Sequence, residues 1–392
     1  MKVLVIPSWY PLYGNFFLDQ SVAIANKGIK VDILVNDLTS LKDFGITKFI
    51  RNFKINVNHH NNIKIIRSIC WKIPKSEKLN IKLWSKKTLR LFKIYLNKYG
   101  KPDLIHLHSA MWAGYAASFI YKKYNIPYII TEHRSRFVDN NIYARRIIKN
   151  YYLKYIRLAL EHSSFVITVS KSMINTLIGI NPSVINKIGV IPNMTDTNFF
   201  VRKPVDKQAR PFIFLSVGLF EEAKGMDILL KSFALFSRKY RDSCLRIAGD
   251  GSQRSKLINL GYNLGISDKV KFLGKISQEK LLAEYQTANV FILASRFEAF
   301  GVVFIEALSA GLPVIGTRSG GPEEIINDEN GLLVDINDIN QLADAMEKLY
   351  KNYNKYNPEI IRKYAINNYS EDIIADHIID KYNYVFRSSN QS

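Results

Sequence analysis

The chain has 392 residues, more than one compact core of ordinary size holds. With 47% apolar and 23% charged residues, it reads as a folded globular protein and not as a disordered or fibrous one. Its two cysteines, Cys70 and Cys244, exclude a disulfide framework and a four-thiolate zinc site, and a formal net charge of +21 points to an anionic partner.

In chain order, short β-branched runs alternate with segments of helical period. Strands are expected at 2–6, 31–35, 103–107, 128–131, 165–169 and 188–191, and again at 212–217, 244–248, 270–273, 290–293, 313–316 and 331–334. The first run stops at Pro7 and is too short for a signal peptide. The weakly polar stretch 299–316 holds Glu306, Ser309 and Pro313, a poor membrane span. A cytoplasmic chain without a spanning helix is therefore expected. Strands this apolar, separated by helix-length segments, indicate parallel sheets covered on both faces. The fold class is thus α/β, with two doubly wound Rossmann-like domains facing across a crevice. The first is placed at 1–200, with a final helix at 370–392 returning to it, and the second at 201–369.

The charge is lopsided. Residues 1–200 hold 30 Lys+Arg against 10 Asp+Glu, a net of +20, whereas residues 201–392 hold 25 against 24. An anionic membrane surface, a nucleic acid or an acidic substrate would suit the first half. Within it, residues 72–101 carry ten basic side chains and one acid, Glu77. Trp84, Thr88, Leu91 and Tyr95 recur there at helical spacing, a stripe read either as core or as part of a membrane-facing surface. A second basic stretch runs from Arg145 and Arg146 to Arg157 with Tyr151, Tyr152 and Tyr155.

The chemistry concentrates in the second half. After the strand at 290–293 a short loop carries Arg296 and Glu298, and Gly301 opens a helix containing Glu306. The free N–H groups and positive dipole of such a helix start suit a diphosphate. Glu306 lies about 7.5 Å along that helix at ~1.5 Å per residue, so the two carboxylates could flank the diphosphate. In the first half, Gly14 and Asn15 sit in a strand-to-helix connection that allows close backbone approach. His106 and His108 end a strand, and Glu132, His133, Arg134 and Arg136 end another. His106 reads as structural. The ionisable group at 132–136 reads either as an acceptor-binding edge or as a salt-bridged loop.

Glu298, seven intervening residues and Glu306 resemble the E-x7-E signature of the retaining nucleotide-sugar glycosyltransferases of family 4, which have the GT-B fold. Gly14-Asn15, His106-Leu107-His108, Ile191-Pro192-Asn193, Gly218, Lys224-Gly225, Gly249-Asp250-Gly251, Gly274 and Gly320-Gly321-Pro322-Glu323 follow in that family's order. The resemblance implies that Glu306 binds ribose hydroxyls, Glu298 holds the transferred sugar and Lys224 neutralises the diphosphate. It adds Ala299 and the backbone of Phe300, Gly301 and Val302 to the donor site, with Gly14, Asn15, Gly218, Gly249 and Gly251. It also makes His108 a sugar contact; Glu132, His133, Arg134 and Arg136 are expected acceptor contacts on the density of ionisable groups at their strand end alone. Many members have an arginine where this chain has Leu219; Arg296 or a basic residue of the first domain is the expected substitute.

The reaction so implied moves a sugar, with retention, from a nucleotide-diphosphate sugar (UDP-linked) to a lipid-linked or oligosaccharide acceptor in surface polysaccharide synthesis. The enzyme would work peripherally on an anionic membrane. No Asp-x-Asp pair occurs, so no metal or other cofactor is expected. Two alternatives stand beside it. A nucleotide-sugar isomerase (epimerase) of the same fold would need no basic acceptor domain. A nucleic-acid-binding protein would fit the charge, but no motif supports it, so nucleic acid is not expected as a partner.

Overall fold

The computed structural model describes residues 1–8, 16–39, 55–139, 150–201 and 211–390. Contacts divide the chain into two units, Met1–Pro192 with Ile374–Ser392, and Asn193–Ile373.

In the first unit β1 (Lys2–Pro7), β2 (Lys30–Thr39), β3 (Asn56–His60), β4 (Ile63–Trp71), β5 (Leu104–His108), β6 (Tyr128–Glu132), β7 (Phe165–Thr168) and β8 (Ile188–Val190) form one sheet in the order β3-β4-β2-β1-β5-β6-β7-β8. Its central strands are buried along almost their whole length, as strands covered on both faces must be. Every neighbouring pair is parallel except β3 with β4. That hairpin is absent from the sequence-based expectation. β3 is a polar, fully exposed edge, and Lys64 and Arg67 interrupt the apolar run of β4. The connecting helices include α1 (Phe16–Asn26), α2 (Glu77–Tyr99), α3 (Trp112–Tyr124), α4 (Asn150–Glu161) and α5 (Ile174–Ile180).

The second unit has an all-parallel sheet of β9 (Phe212–Val217), β10 (Ser243–Ala248), β11 (Val270–Gly274), β12 (Val290–Leu293), β13 (Val314–Thr317) and β14 (Gly331–Val334), in the order β11-β10-β9-β12-β13-β14. Its helices are α6 (Met226–Lys239), α7 (Arg254–Asn263), α8 (Gln278–Thr287), α9 (Val302–Ser309), α10 (Pro322–Ile325), α11 (Ile339–Lys351) and α12 (Pro358–Tyr369); α13 (Glu371–Asn390) follows and from Ile374 onward belongs to the first unit. All twelve expected strands form, to within a residue or two at most ends.

The unit boundary differs from the expected one near residue 200. The Thr195 N–H donates to the Tyr369 carbonyl at 3.0 Å, and the Arg362 guanidinium holds the carbonyls of Thr197 and Phe200. Segment 193–201 is thereby bound into the second unit. Ile374–Ser392 is grouped with the first.

The stripe Trp84, Thr88, Leu91 and Tyr95 is core. All four are buried. Trp84 Nε1 donates to the Asn36 carbonyl at 2.7 Å, Asn36 Nδ2 to Thr88 Oγ1 at 3.1 Å, and the Tyr95 hydroxyl to Asp32 at 2.8 Å. The second basic stretch lies partly outside the described residues, at Arg145 and Arg146.

Candidate active site

Strand order reverses between β9 and β12, and the loops leaving the C-terminal ends of these neighbours meet there. The loop after β9 carries Gly218 and Leu219, then a single 3₁₀ turn ending in Lys224 and Gly225, which caps α6. Gly225 has φ +59°, and a Cβ there would come within 1.9 Å of the Ala294 carbonyl oxygen. Only glycine allows this loop to lie against the loop after β12. Gly249 has φ +139° and abuts the Gly218 carbonyl in the same way; together with Gly251 it shapes the first loop from behind.

The two key side chains meet. Lys224 Nζ lies 2.5 Å from Glu298 Oε2, which also accepts from Ser295 Oγ at 3.1 Å. The Glu298 backbone is pinned to the opposite loop, its N–H on the Ser319 carbonyl and its carbonyl on the Gly321 N–H, both 2.9 Å. Buried Ala299 and Phe300 lead to Gly301, which caps α9, and Val302 is the first helical residue. The Phe304 N–H closes the turn on the Gly301 carbonyl at 2.9 Å, while the N–H groups of Val302 and Val303 have no acceptor a turn back within the helix.

Arg296 does not fill the place of the arginine missing at Leu219. Its guanidinium is bidentate on Asp227 at 2.9 and 3.0 Å, while Nε donates to Asn337 Oδ1 at 2.7 Å and Nη1 to the Glu222 carbonyl at 2.6 Å. It braces the Lys224 turn and the start of α6 instead of presenting a free cation. Leu219 itself is exposed.

Glu306, on α9, is half-buried. Its Oε2 accepts from the Tyr285 hydroxyl of α8 at 2.9 Å. Burial pushes this carboxyl up to about 7, with the Tyr285 hydrogen bond pulling the other way. Tyr285 is fully buried beside Phe200 and Phe291.

In the first unit the ends of β5 and β6 gather three histidines. His106 shares hydrogen bonds with the Tyr382 hydroxyl of α13 through Nδ1 and with Thr131 Oγ1 through Nε2, each 2.7 Å. Burial lowers its pKa to about 3, and this fully satisfied ring is structural, as expected. His108 Nδ1 lies 3.0 Å from His133 Nε2, with the two rings stacked at 5.3 Å. Burial, with His106 and His133 beside it, holds His108 neutral well below the ordinary range. Its Nε2 is buried with no partner among the described residues, a polar atom that a ligand hydroxyl would satisfy.

The segment 132–136 is neither of the two expected things in full. Glu132 is completely buried, and its oxygens accept from Ser109 Oγ and the N–H groups of Ala110, His133 and Arg134 at 3.0–3.2 Å. It ties the β5 and β6 ends together, and no acceptor role is left to its carboxylate. Arg134 and Arg136 both lean on Met111 Sδ. Gly14 and Asn15 lie outside the described residues. Sequence reasoning missed Ser295, Asp227, Asn337 and Tyr285, ordinary polar residues in sequence whose partners are 3 to 69 positions away.

Among the described residues, no group of three or more His, Cys, Asp or Glu side chains is placed to hold a metal ion, and no helix is long and apolar enough to cross a membrane. Residues 14–199 match the family model described as Glycosyltransferase Family 4, and residues 198–368 the model described as Glycosyl transferases group 1. An uncharacterized glycosyltransferase of Methanocaldococcus jannaschii is 29% identical over 357 residues, spanning 90% of this chain and 89% of its own. Sucrose-phosphate synthase from Thermosynechococcus elongatus has a similar structure, with TM-score 0.80 at 24% identity over 99% of this chain and 100% of that one. HepE of Anabaena, solved in complex with UDP, gives TM-score 0.74 at 17% identity over 98% and 100%.

Proposed function

The chain belongs to the family 4 glycosyltransferases and has the GT-B fold, and from that premise we propose that it transfers a sugar, with retention, from a UDP-linked donor to a lipid-linked glycan at an anionic membrane surface. The observation that carries the reading is the Lys224–Glu298 pair at the reversal of strand order, beside the start of α9. Lys224 and the N–H groups of Phe300, Gly301 and Val302 take the charge that develops on the leaving diphosphate. Glu298 takes hydroxyls of the transferred sugar, Glu306 those of the ribose, and the open Nε2 of His108 a sugar hydroxyl. No metal enters this scheme. The C1–phosphate oxygen bond breaks, the acceptor oxygen bonds C1 on the same face, and the acceptor proton passes to the leaving phosphate oxygen.

A UDP donor is supported by the UDP bound to HepE. The net of +20 in residues 1–200 supports an anionic acceptor surface and a peripheral place on the inner face of the cytoplasmic membrane. The test is product analysis with a panel of UDP-sugars and lipid-linked glycans. Free UDP released only when acceptor is present, with an α-linked product from an α-linked donor, supports the proposal. An altered nucleotide sugar formed without acceptor would instead establish the isomerase reading.

A further inference from the structure

Because the Trp84–Tyr95 stripe of α2 faces the core, the opposite side of that helix is the one open to a partner, and its composition is unusual. Leu79, Leu83 and Ile94 are 43%, 37% and 40% exposed. At about 100° per residue these three fall, with Lys86 and Arg90, in one sector about 80° wide. Lys82 and Lys93, also exposed, border that sector. No acidic side chain among the described residues pairs with Lys82, Lys86, Arg90 or Lys93 (the nearest in sequence, Glu77, accepts from the Tyr151 hydroxyl). Helix α3 packs directly beside α2 through Trp84–Trp112 and Phe92–Tyr124 ring contacts. It adds an exposed phenylalanine, Phe119, next to Lys122 and Lys123.

We propose that the outward face of α2, with Phe119 of the neighbouring α3, docks into the headgroup layer of an anionic bilayer. The ammonium and guanidinium groups meet lipid phosphates, and Leu79, Leu83 and Ile94 enter the acyl boundary. Long basic side chains bordering apolar ones suit this layer because their stems stay apolar while their heads reach the phosphates. The apolar centre is what distinguishes a bilayer from a nucleic acid. A phosphodiester backbone rewards the lysines alone and leaves three large aliphatic side chains in water. This deepens the proposed function and rests on its placing the acceptor at a membrane, yet it is tested without acceptor.

The experiment is flotation of the full chain with vesicles of phosphatidylglycerol and phosphatidylcholine, against phosphatidylcholine alone, at 0.15 M salt. Wild type is expected on the anionic vesicles only. Leu79→Ser/Leu83→Ser/Ile94→Ser should bind about tenfold more weakly or worse, and Lys82→Ser/Lys86→Ser/Arg90→Ser/Lys93→Ser should be released. Both variants should keep wild-type UDP affinity. Leu83→Trp should show a blue-shifted tryptophan emission difference on adding anionic vesicles, reporting insertion directly. Binding undiminished by the triple apolar change, an unshifted Leu83→Trp spectrum, or equal binding to neutral vesicles would overturn the proposal. So would a duplex oligonucleotide that displaces the protein from vesicles and binds the apolar variant as tightly as wild type. The two readings fail separately. A wrong transferase assignment abolishes acceptor-dependent UDP release and leaves flotation intact, while a wrong surface does the reverse with a soluble acceptor.

Discussion

The two units handle charge in opposite ways. At the strand ends of the second unit, cations and carboxylates are paired within the site, Lys224 with Glu298 and Arg296 with Asp227, in a half whose net charge is +1. At the strand ends of the first, the histidines and the carboxylate carry little free charge: His106 and His108 are kept uncharged by burial, and Glu132 is surrounded by four donors. Among the described residues, a dense group of its cations lies on the exposed face of α2, at Lys82, Lys86, Arg90 and Lys93. The net charge of a half therefore says where it meets large partners and little about the chemistry at its sheet edge. A leaving diphosphate needs a preorganised charge, which a paired lysine supplies once the phosphate displaces its carboxylate. Sugar hydroxyls can also be met by neutral groups, such as the open Nε2 of His108.

The comparison breaks most visibly at Lys224. Lys224→Ala should lower the rate of transfer about 10²-fold or more, while Glu298→Gln should lower turnover more than it weakens UDP binding. Steady-state kinetics beside titration calorimetry separates the two. A folded Lys224→Ala variant with near-wild-type turnover would remove the charge pair from the mechanism. Next in size is Glu132. Its replacement by Ala leaves the buried Ala110 N–H and Ser109 hydroxyl and the part-buried N–H groups of His133 and Arg134 without this acceptor, at a cost of about 2–3 kcal/mol in stability, with UDP affinity unchanged. Urea denaturation checks this, and a stable Glu132→Ala that lost only activity would return the residue to the acceptor site. Arg296→Ala should cost about 1–2 kcal/mol, since its bidentate partner Asp227 is partly solvent-accessible. Arg296→Lys tests the brace separately: full stability with lost UDP affinity would make it a phosphate ligand after all.

What could be read in sequence follows the same division. The twelve expected strands were legible because short apolar, β-branched runs between helix-length segments have few other structures available. The β3–β4 hairpin was not, since polar Asn56–His60 carries no burial signal. Glu298, Glu306 and Lys224 were legible through their spacing and glycine neighbours. Their supports were not: Tyr285 reaches Glu306 from another helix, and Asp227 meets Arg296 across 69 positions. The pairing of Arg296 was not legible either, because its sequence neighbourhood, beside Glu298, shows a cation without showing that Asp227 and Asn337 hold it. The α2 stripe was visible by period, but period does not tell a core face from a docking face. Burial of Trp84 and exposure of Leu83 decide that.

The smallest effect tests the finest point, the setting of Glu306. Burial raises its carboxyl to about 7, so in the free protein it takes up a proton as pH falls through neutrality. Ribose hydroxyls donate to the carboxylate, so nucleotide binding favours the deprotonated form and releases a proton below that pH. Affinity for UDP should therefore fall between pH 7.5 and 6. The phosphate of UDP titrates in the same range, but Glu306→Gln shares that contribution and lacks the carboxyl. The difference between the two profiles isolates Glu306. Burial holds the Tyr285 phenol protonated, well above its ordinary range, and its hydrogen bond lowers the Glu306 pKa. Tyr285→Phe should thus move the midpoint upward and weaken UDP binding at pH 7 about threefold, with recovery at pH 8.5. Loss of packing alone would weaken binding equally at every pH. Parallel profiles for wild type and Glu306→Gln would show that this carboxylate does not meet the ribose.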